Sequence, residues 1–149
     1  MYLTVLLKNL KDFMKTLLLT SLLLSSCALP QEQKQQVRLT VYWKTEDKWT
    51  NAGKTSTGGP LVSYETVAVD PKVFPYGSII KIPALGLKTV ARDCGSDVIK
   101  RTASKKMGKN CPVIDLYIAS EEEAKRFIKQ SPHFVEILCE KDIPFSNEE

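Results

Sequence analysis

From Val37 to Trp43 apolar and polar residues alternate, and the segment is rich in β-branched and aromatic types, which predicts a strand with one face buried. Leu61 to Asp70 reads as a second extended segment, stopped by Pro71, whose ring keeps Asp70 out of helical geometry. Phe74-Pro75-Tyr76-Gly77-Ser78 is a turn, and the short strand from Ile79 to Ile82 after it ends at Pro83. Leu85-Gly86-Leu87 predicts a hairpin tip, and Lys88 to Asp93 a returning strand. Val113 to Ile118 is another strand. Phe134 to Glu140 sets Val135, Ile137 and Cys139 against Phe134, Glu136 and Leu138, and so closes the sheet. Between these two, Ser120 with Glu123 three residues on forms a capping box, and Ala124, Phe127 and Ile128 share one face until Ser131-Pro132 ends the helix. Glu121, Glu122 and Glu123 suit the positive end of that helix, which explains them without catalysis. Gly95 to Pro112 has no period and predicts a long irregular loop. Short strands punctuated this densely by Gly and Pro argue for a small β-barrel with one helix, not for a parallel sheet covered by helices.

The chain has 149 residues and a hydrophobic share of 43%, enough for one domain with its own core and not for two. Thr16 to Leu29 is an almost unbroken apolar run, preceded by Lys8, Lys11 and Lys15. It is well short of the roughly 20 residues of a membrane span, and it ends in small residues, so it predicts a secretory signal, with a buried helix or signal anchor as the alternative. Met14-Lys15-Thr16 is a second possible start. Leu24-Ser25-Ser26-Cys27 resembles a bacterial lipobox, which implies acylation of Cys27, cleavage before it and an anchor in a membrane. Ala28 in the next position is similar to an outer-membrane sorting signal, so the expected location is the envelope, at the outer membrane facing the periplasm. The expected divisions are a signal peptide at 1–26, a polar tether at 27–36, a barrel domain at 37–141 and a frayed tail at 142–149. The net charge of +4 falls toward neutral once the leader is removed, which leaves no electrostatic case for nucleic acid.

Three aspartates close strand-like runs: Asp70 after Val67-Ala68-Val69, Asp93 after Val90-Ala91-Arg92, and Asp115 within Val113-Ile114-Asp115-Leu116-Tyr117-Ile118. Asp70 before Pro71 and Asp93 before Cys94-Gly95 are also ordinary turn residues. Asp115 is different, because a carboxylate between Ile114 and Leu116 inside a strand is costly without a purpose. Together the three suggest one acidic cleft.

These aspartates stand in a longer series: Thr57-Gly58, Thr66-Val67-Ala68-Val69-Asp70-Pro71, Phe74-Pro75-Tyr76-Gly77-Ser78, Ile80-Lys81-Ile82-Pro83, Ala91-Arg92-Asp93-Cys94-Gly95, Ile99-Lys100 and Ile114-Asp115-Leu116-Tyr117. From about Val37 to Cys139 the series resembles the 3D, or three-aspartate, domain family of bacterial cell-wall proteins, which is similar to the catalytic barrel of MltA-type lytic transglycosylases. The resemblance implies a small six-stranded double-psi β-barrel and peptidoglycan glycan strands as the ligand. It also implies cleavage between N-acetylmuramic acid and N-acetylglucosamine with a 1,6-anhydro product. Asp115 would be the general acid and then the base, helped by Asp93 and Asp70. Tyr117, Lys100, Thr57 and Trp49 are the expected substrate contacts. The alternative is a non-catalytic peptidoglycan-binding module on the same fold. The basic loop after Gly95, with Lys100, Arg101, Lys105, Lys106 and Lys109, departs from the family pattern. It reads either as a solvated loop or as a surface for anionic groups of the wall.

Cys94 and Cys111 flank that loop and are the favoured disulfide pair, with pairings to Cys139 left open. One histidine and no Cys-x-x-Cys argue against zinc, and neither a cofactor nor a metal is expected. His133 lacks a nucleophile motif to serve, and Gly53-Lys54-Thr55 lacks the glycine of a phosphate loop. Trp43 and Trp49 read either as packing residues or as stacking platforms for a sugar ring. A monomer is expected.

Overall fold

The computed structural model describes residues 32–45 and 52–140. The leader with Cys27, the residue Trp49 and the tail lie outside the described residues. Six strands form: β1 (Gln33–Tyr42), β2 (Thr66–Ala68), β3 (Ile79–Ile82), β4 (Leu87–Asp93), β5 (Val113–Tyr117) and β6 (Phe134–Glu140). They close into a barrel in the order β1-β5-β2-β4-β3-β6. β1 runs parallel to β5 and β2 parallel to β4, while the remaining neighbours are antiparallel. The protein is therefore mainly β and built on a closed six-stranded mixed barrel, as expected.

Alternation explains most of the closure. On β1, Val37 and Leu39 point inward; on β3, Ile80 and Ile82; on β5, Ile114 and Leu116; on β6, Val135, Ile137 and Cys139. Each such side chain removed from water contributes roughly 1.5–3 kcal/mol, and together they fill the barrel. The helix Glu121–Gln130 starts at Ser120, whose hydroxyl accepts from the Glu123 N–H, and it lays Ala124, Phe127 and Ile128 on the core. Trp43 also packs on this core, with Lys125 over its ring, so packing is its role.

Four expectations change. The tether's last residues belong to β1: Gln33 to Gln36 pair with β6 from Cys139 to Glu136, because an antiparallel ladder holds polar residues as well as apolar ones. Leu61 to Glu65 is not strand. Tyr64 adopts φ 64° and turns the chain, its hydroxyl bonding Glu123 and its ring meeting Phe127 edge-on. The chain from Gly95 to Pro112 holds two single-turn helices, α1 (Ser96–Ile99) and α2 (Thr102–Lys105), too short to show a period in sequence. With α3 (Glu121–Gln130), the described residues contain three α-helices and not one, besides a single 3-10 turn at Pro83–Leu85. Finally, the Cys94–Cys111 bridge is not formed: both are free thiols, and the Cys111 sulfur lies 3.2 Å from the Ser104 hydroxyl. Cys139 is buried in the barrel.

Candidate functional site

The register of three neighbouring strands builds the site. Ala68 of β2 lies opposite Asp93 on β4 and opposite Asp115 on β5, and Asp115 in turn lies opposite Thr40 on β1. Residues facing one another across adjacent strands share a face of the sheet. Asp93 and Asp115 are thus held two strand spacings apart, roughly 10 Å between backbones, with only the methyl of Ala68 between them. A shift of register between Val67 and Ala68 brings Ala68 and Asp93 into this row. Above it lies a cavity of about 620 Å³ whose lining includes Tyr42, Lys54, Thr55, Ser56, Ala68, Asp93, Cys94, Asp97, Val98 and Asp115.

Asp93 is fixed from both sides. One oxygen accepts from the Tyr42 hydroxyl at 2.8 Å; the other accepts from the backbone N–H of Ser56 at 2.8 Å and of Cys94 at 2.9 Å. The loop that supplies the Ser56 N–H is itself pinned. Thr57 donates to the Arg92 carbonyl at 2.9 Å and shares a 2.9 Å bond with Thr55, and Gly58 at φ 87° lets the chain turn back so that Thr55 N–H reaches the Gly59 carbonyl. Thr57-Gly58 therefore serves to position a donor for Asp93. Burial, and after it the charge and hydrogen bond of Asp93, push the Tyr42 hydroxyl far above the ordinary phenol range, with Asp115 adding to the effect. Tyr42 stays a neutral donor. Its ring rests on Tyr117, 5.3 Å between centroids, in a small apolar cluster with Ala68, Val98 and Val113.

Of the three aspartates, the fold brings two together. Asp70 does not line the cavity; it caps its own turn, its carboxylate accepting from Lys72 N–H and its carbonyl from Val73 and Phe74 N–H. The third carboxylate at the cavity is Asp97, from the first turn of α1, which accepts from the Thr102 hydroxyl at 2.9 Å. Sequence reasoning passed over Asp97 because it falls in a stretch without periodicity, although Gly95-Ser96 ahead of it is a workable helix start. Tyr42, Lys54 and Ser56 were also missed as cavity residues. Tyr117 does not reach the cavity; it is buried against Tyr42, and burial raises its hydroxyl. Lys100 is exposed and is not among the residues that line it.

At the rim, the exposed Tyr76 places its hydroxyl 3.3 Å from that of Ser56. Burial first, and then the neighbouring Cys94 and Asp93, raise the Tyr76 hydroxyl, with the Ser56 bond opposing them. Among the described residues no group of His, Cys, Asp or Glu is arranged to hold a metal ion. The site offers instead a fixed acceptor, a second carboxylate across the floor, a neutral hydroxyl donor and one lysine. No known protein-family model matches the chain, and no curated protein does.

Proposed function

We infer that this chain is a peptidoglycan lytic transglycosylase of the cell envelope, anchored through an acylated Cys27 and acting on the bond between N-acetylmuramic acid and N-acetylglucosamine. One observation carries the reading: two carboxylates, Asp93 and Asp115, stand in register on the floor of a cavity large enough for sugar rings, and both oxygens of Asp93 are already engaged by donors of the protein itself. With both oxygens accepting from the protein's own donors, Asp93 is a fixed acceptor on the cavity floor. The proton-transfer role therefore falls to Asp115. It protonates the glycosidic oxygen, the C–O bond to the muramyl anomeric carbon breaks, and Asp115 then takes the proton of the muramyl C6 hydroxyl as that oxygen closes the anhydro ring. No water is consumed. Asp93 supports the positive charge that builds at the ring, and Tyr42 keeps Asp93 in place. The exposed ring of Tyr76 at the rim gives a sugar an aromatic face.

A glycan-binding module without turnover is favoured by one observation, the withdrawal of Asp70 into its turn, which leaves the expected acidic triad incomplete. The deciding experiment incubates purified sacculi with the full chain and with its Asp115→Asn variant, and identifies soluble products by mass spectrometry. Anhydro-muropeptides released by the unaltered protein and reduced on the order of 10²–10⁴-fold by the variant support the enzyme. Retention on sacculi with no such products supports the module, and equal release by both proteins overturns the role of Asp115.

A further inference from the structure

The chain between β4 and β5 presents a surface that the cavity does not use. Its inner side is buried Val98 and Ser104 with half-buried Ala103; Val98 and Ala103 join the apolar cluster beneath Tyr42. Its outer side carries Lys100, Lys105 and Lys106, all exposed, together with Arg101; Lys109, also exposed, sets its ammonium 4.0 Å from the centre of the Phe134 ring. No acidic residue occurs between Asp97 and Asp115, and Asp97 faces the cavity. None of the five cations forms an ion pair among the described residues. In the same stretch Ile99 is 45% exposed and Met107 46%, and the other exposed large apolar side chain among the described residues, Tyr76, bonds Ser56 of the cavity lining.

The surface is also held in shape. Arg101, at φ 58°, makes the corner between the two helical turns, and its guanidinium donates to the Asn110 carbonyl at 2.9 Å. The N–H groups of Met107 and Lys109 both return to the Ser104 carbonyl. A run of lysines alone would suit any polyanion. Two exposed aliphatic side chains among them change the choice of partner. A glycan or phosphate polymer offers no apolar phase for Ile99 and Met107, and aliphatic groups give a nucleic-acid base no flat ring to stack on. An anionic bilayer answers both features at once, phosphates for the lysines and acyl chains for the apolar tips.

We propose that the segment from Ile99 to Lys109 docks this domain on an anionic phospholipid surface, with Lys100, Lys105 and Lys106 at the headgroup phosphates and Ile99 and Met107 inserted at the boundary with the acyl chains. The reverse side of α1 carries Asp97 and Val98 of the cavity lining, so docking sets the distance of the cavity mouth from the membrane. The proposal stands on this surface and is independent of what the cavity does.

The test is flotation of the full chain with vesicles of phosphatidylcholine alone and of phosphatidylcholine mixed equally with phosphatidylglycerol, at low and high salt. The leader, with Lys8, Lys11 and Lys15, adds an anionic preference of its own; it is the same in the unaltered protein and in every variant, so the proteins are compared on the same vesicles. The expected result is a preference for the anionic vesicles that salt removes. Each lost cation lowers that preference roughly fivefold, so Lys105→Gln with Lys106→Gln lowers it roughly 25-fold. Ile99→Ser with Met107→Ser lowers anionic partition roughly tenfold or more. All four side chains are exposed, and unchanged circular dichroism confirms the fold. Equal partition into both vesicles, or an anionic preference that neither double variant diminishes, overturns the proposal. So does a preference that the lysine variants abolish, the Ile99/Met107 variants leave intact and short polyphosphate competes away, since the surface then binds soluble polyanions.

Discussion

The two faces of β5 belong to two different regions of the molecule. Ile114 and Leu116 point into the barrel, among side chains that are apolar and wholly buried. Val113, Asp115 and Tyr117 point the other way, Val113 and Tyr117 into the small cluster around Tyr42 and Asp115 into the cavity beside it. The same alternation divides β2, with Val67 in the core and Ala68 on the cavity floor. The core closes the barrel by packing alone. The cavity end gives up packing density to hold a few polar atoms at fixed positions, and it can do so because the core beside it already fixes the backbone. Substitutions one residue apart on β5 should therefore fail in different ways.

The largest expected effect falls on the cavity face. Asp115→Asn changes neither volume nor backbone, so it should leave the midpoint of chemical denaturation close to that of the unaltered protein. Under the proposed transglycosylase reading, glycan release on sacculi should meanwhile fall on the order of 10²–10⁴-fold. On the core face, Leu116→Ala should do the opposite. It removes a fully buried side chain and leaves a cavity, so the loss of unfolding free energy should be about 2–5 kcal/mol in a denaturant titration. At temperatures where the variant is still folded, its activity per folded molecule should change little. If Leu116→Ala lowered activity as far as Asp115→Asn does, the two faces would not be separable.

Ala68→Leu tests the boundary between the regions. Ala68 is 4% exposed and lies between Asp93 and Asp115, so a larger side chain either fills the cavity floor or pushes the strands apart. The expected cost in stability is about 1–3 kcal/mol, and substrate turnover should fall at least tenfold, read as release of soluble fragments beside a denaturation curve. Loss of stability with full turnover would place the reacting sugar elsewhere than over Ala68.

The same division decides how much could be read from the chain. Strands with an inward row of β-branched residues, as in Ile79 to Ile82 and Phe134 to Glu140, were legible because period two is a direct trace of the core. Asp115 was legible because it interrupts such a row. The capped helix after Ser120 carried its own start signal. What escaped was set by tertiary contacts without a local period. Tyr64 takes a left-handed turn where alternation suggested strand, and the two four-residue helices are too short to repeat. Asp97 reaches the cavity only because α1 begins where β4 ends. Asp70 carried two readings in sequence, and the Asp-Pro turn chemistry is the one its hydrogen bonds realise. Tyr117 sits beyond Asp115 on the same strand face, as periodicity requires, yet Tyr42 covers it.

Tyr42 gives the smallest effect and the sharpest one. Its hydroxyl is one of three donors to Asp93, and the two backbone N–H groups remain when it is removed. Tyr42→Phe should accordingly cost about 1 kcal/mol of stability at neutral pH, since the carboxylate keeps most of its partners. The pH dependence is more telling. In the folded protein burial and Asp93 raise the Tyr42 hydroxyl well above 10, its ordinary value, whereas in the unfolded chain it ionises near that value. Above pH 10 the unfolded chain loses a proton that the folded protein keeps. Stability contributed by the neutral hydroxyl is thus fully present below pH 10 and is lost as pH rises beyond it. Denaturation midpoints taken from pH 8 upward should fall more steeply for the unaltered protein than for Tyr42→Phe, and the two curves should converge. Parallel curves would mean that Tyr42 ionises as freely in the folded protein as in the unfolded chain, and its bond to Asp93 could not then be what holds the cavity's fixed charge in place.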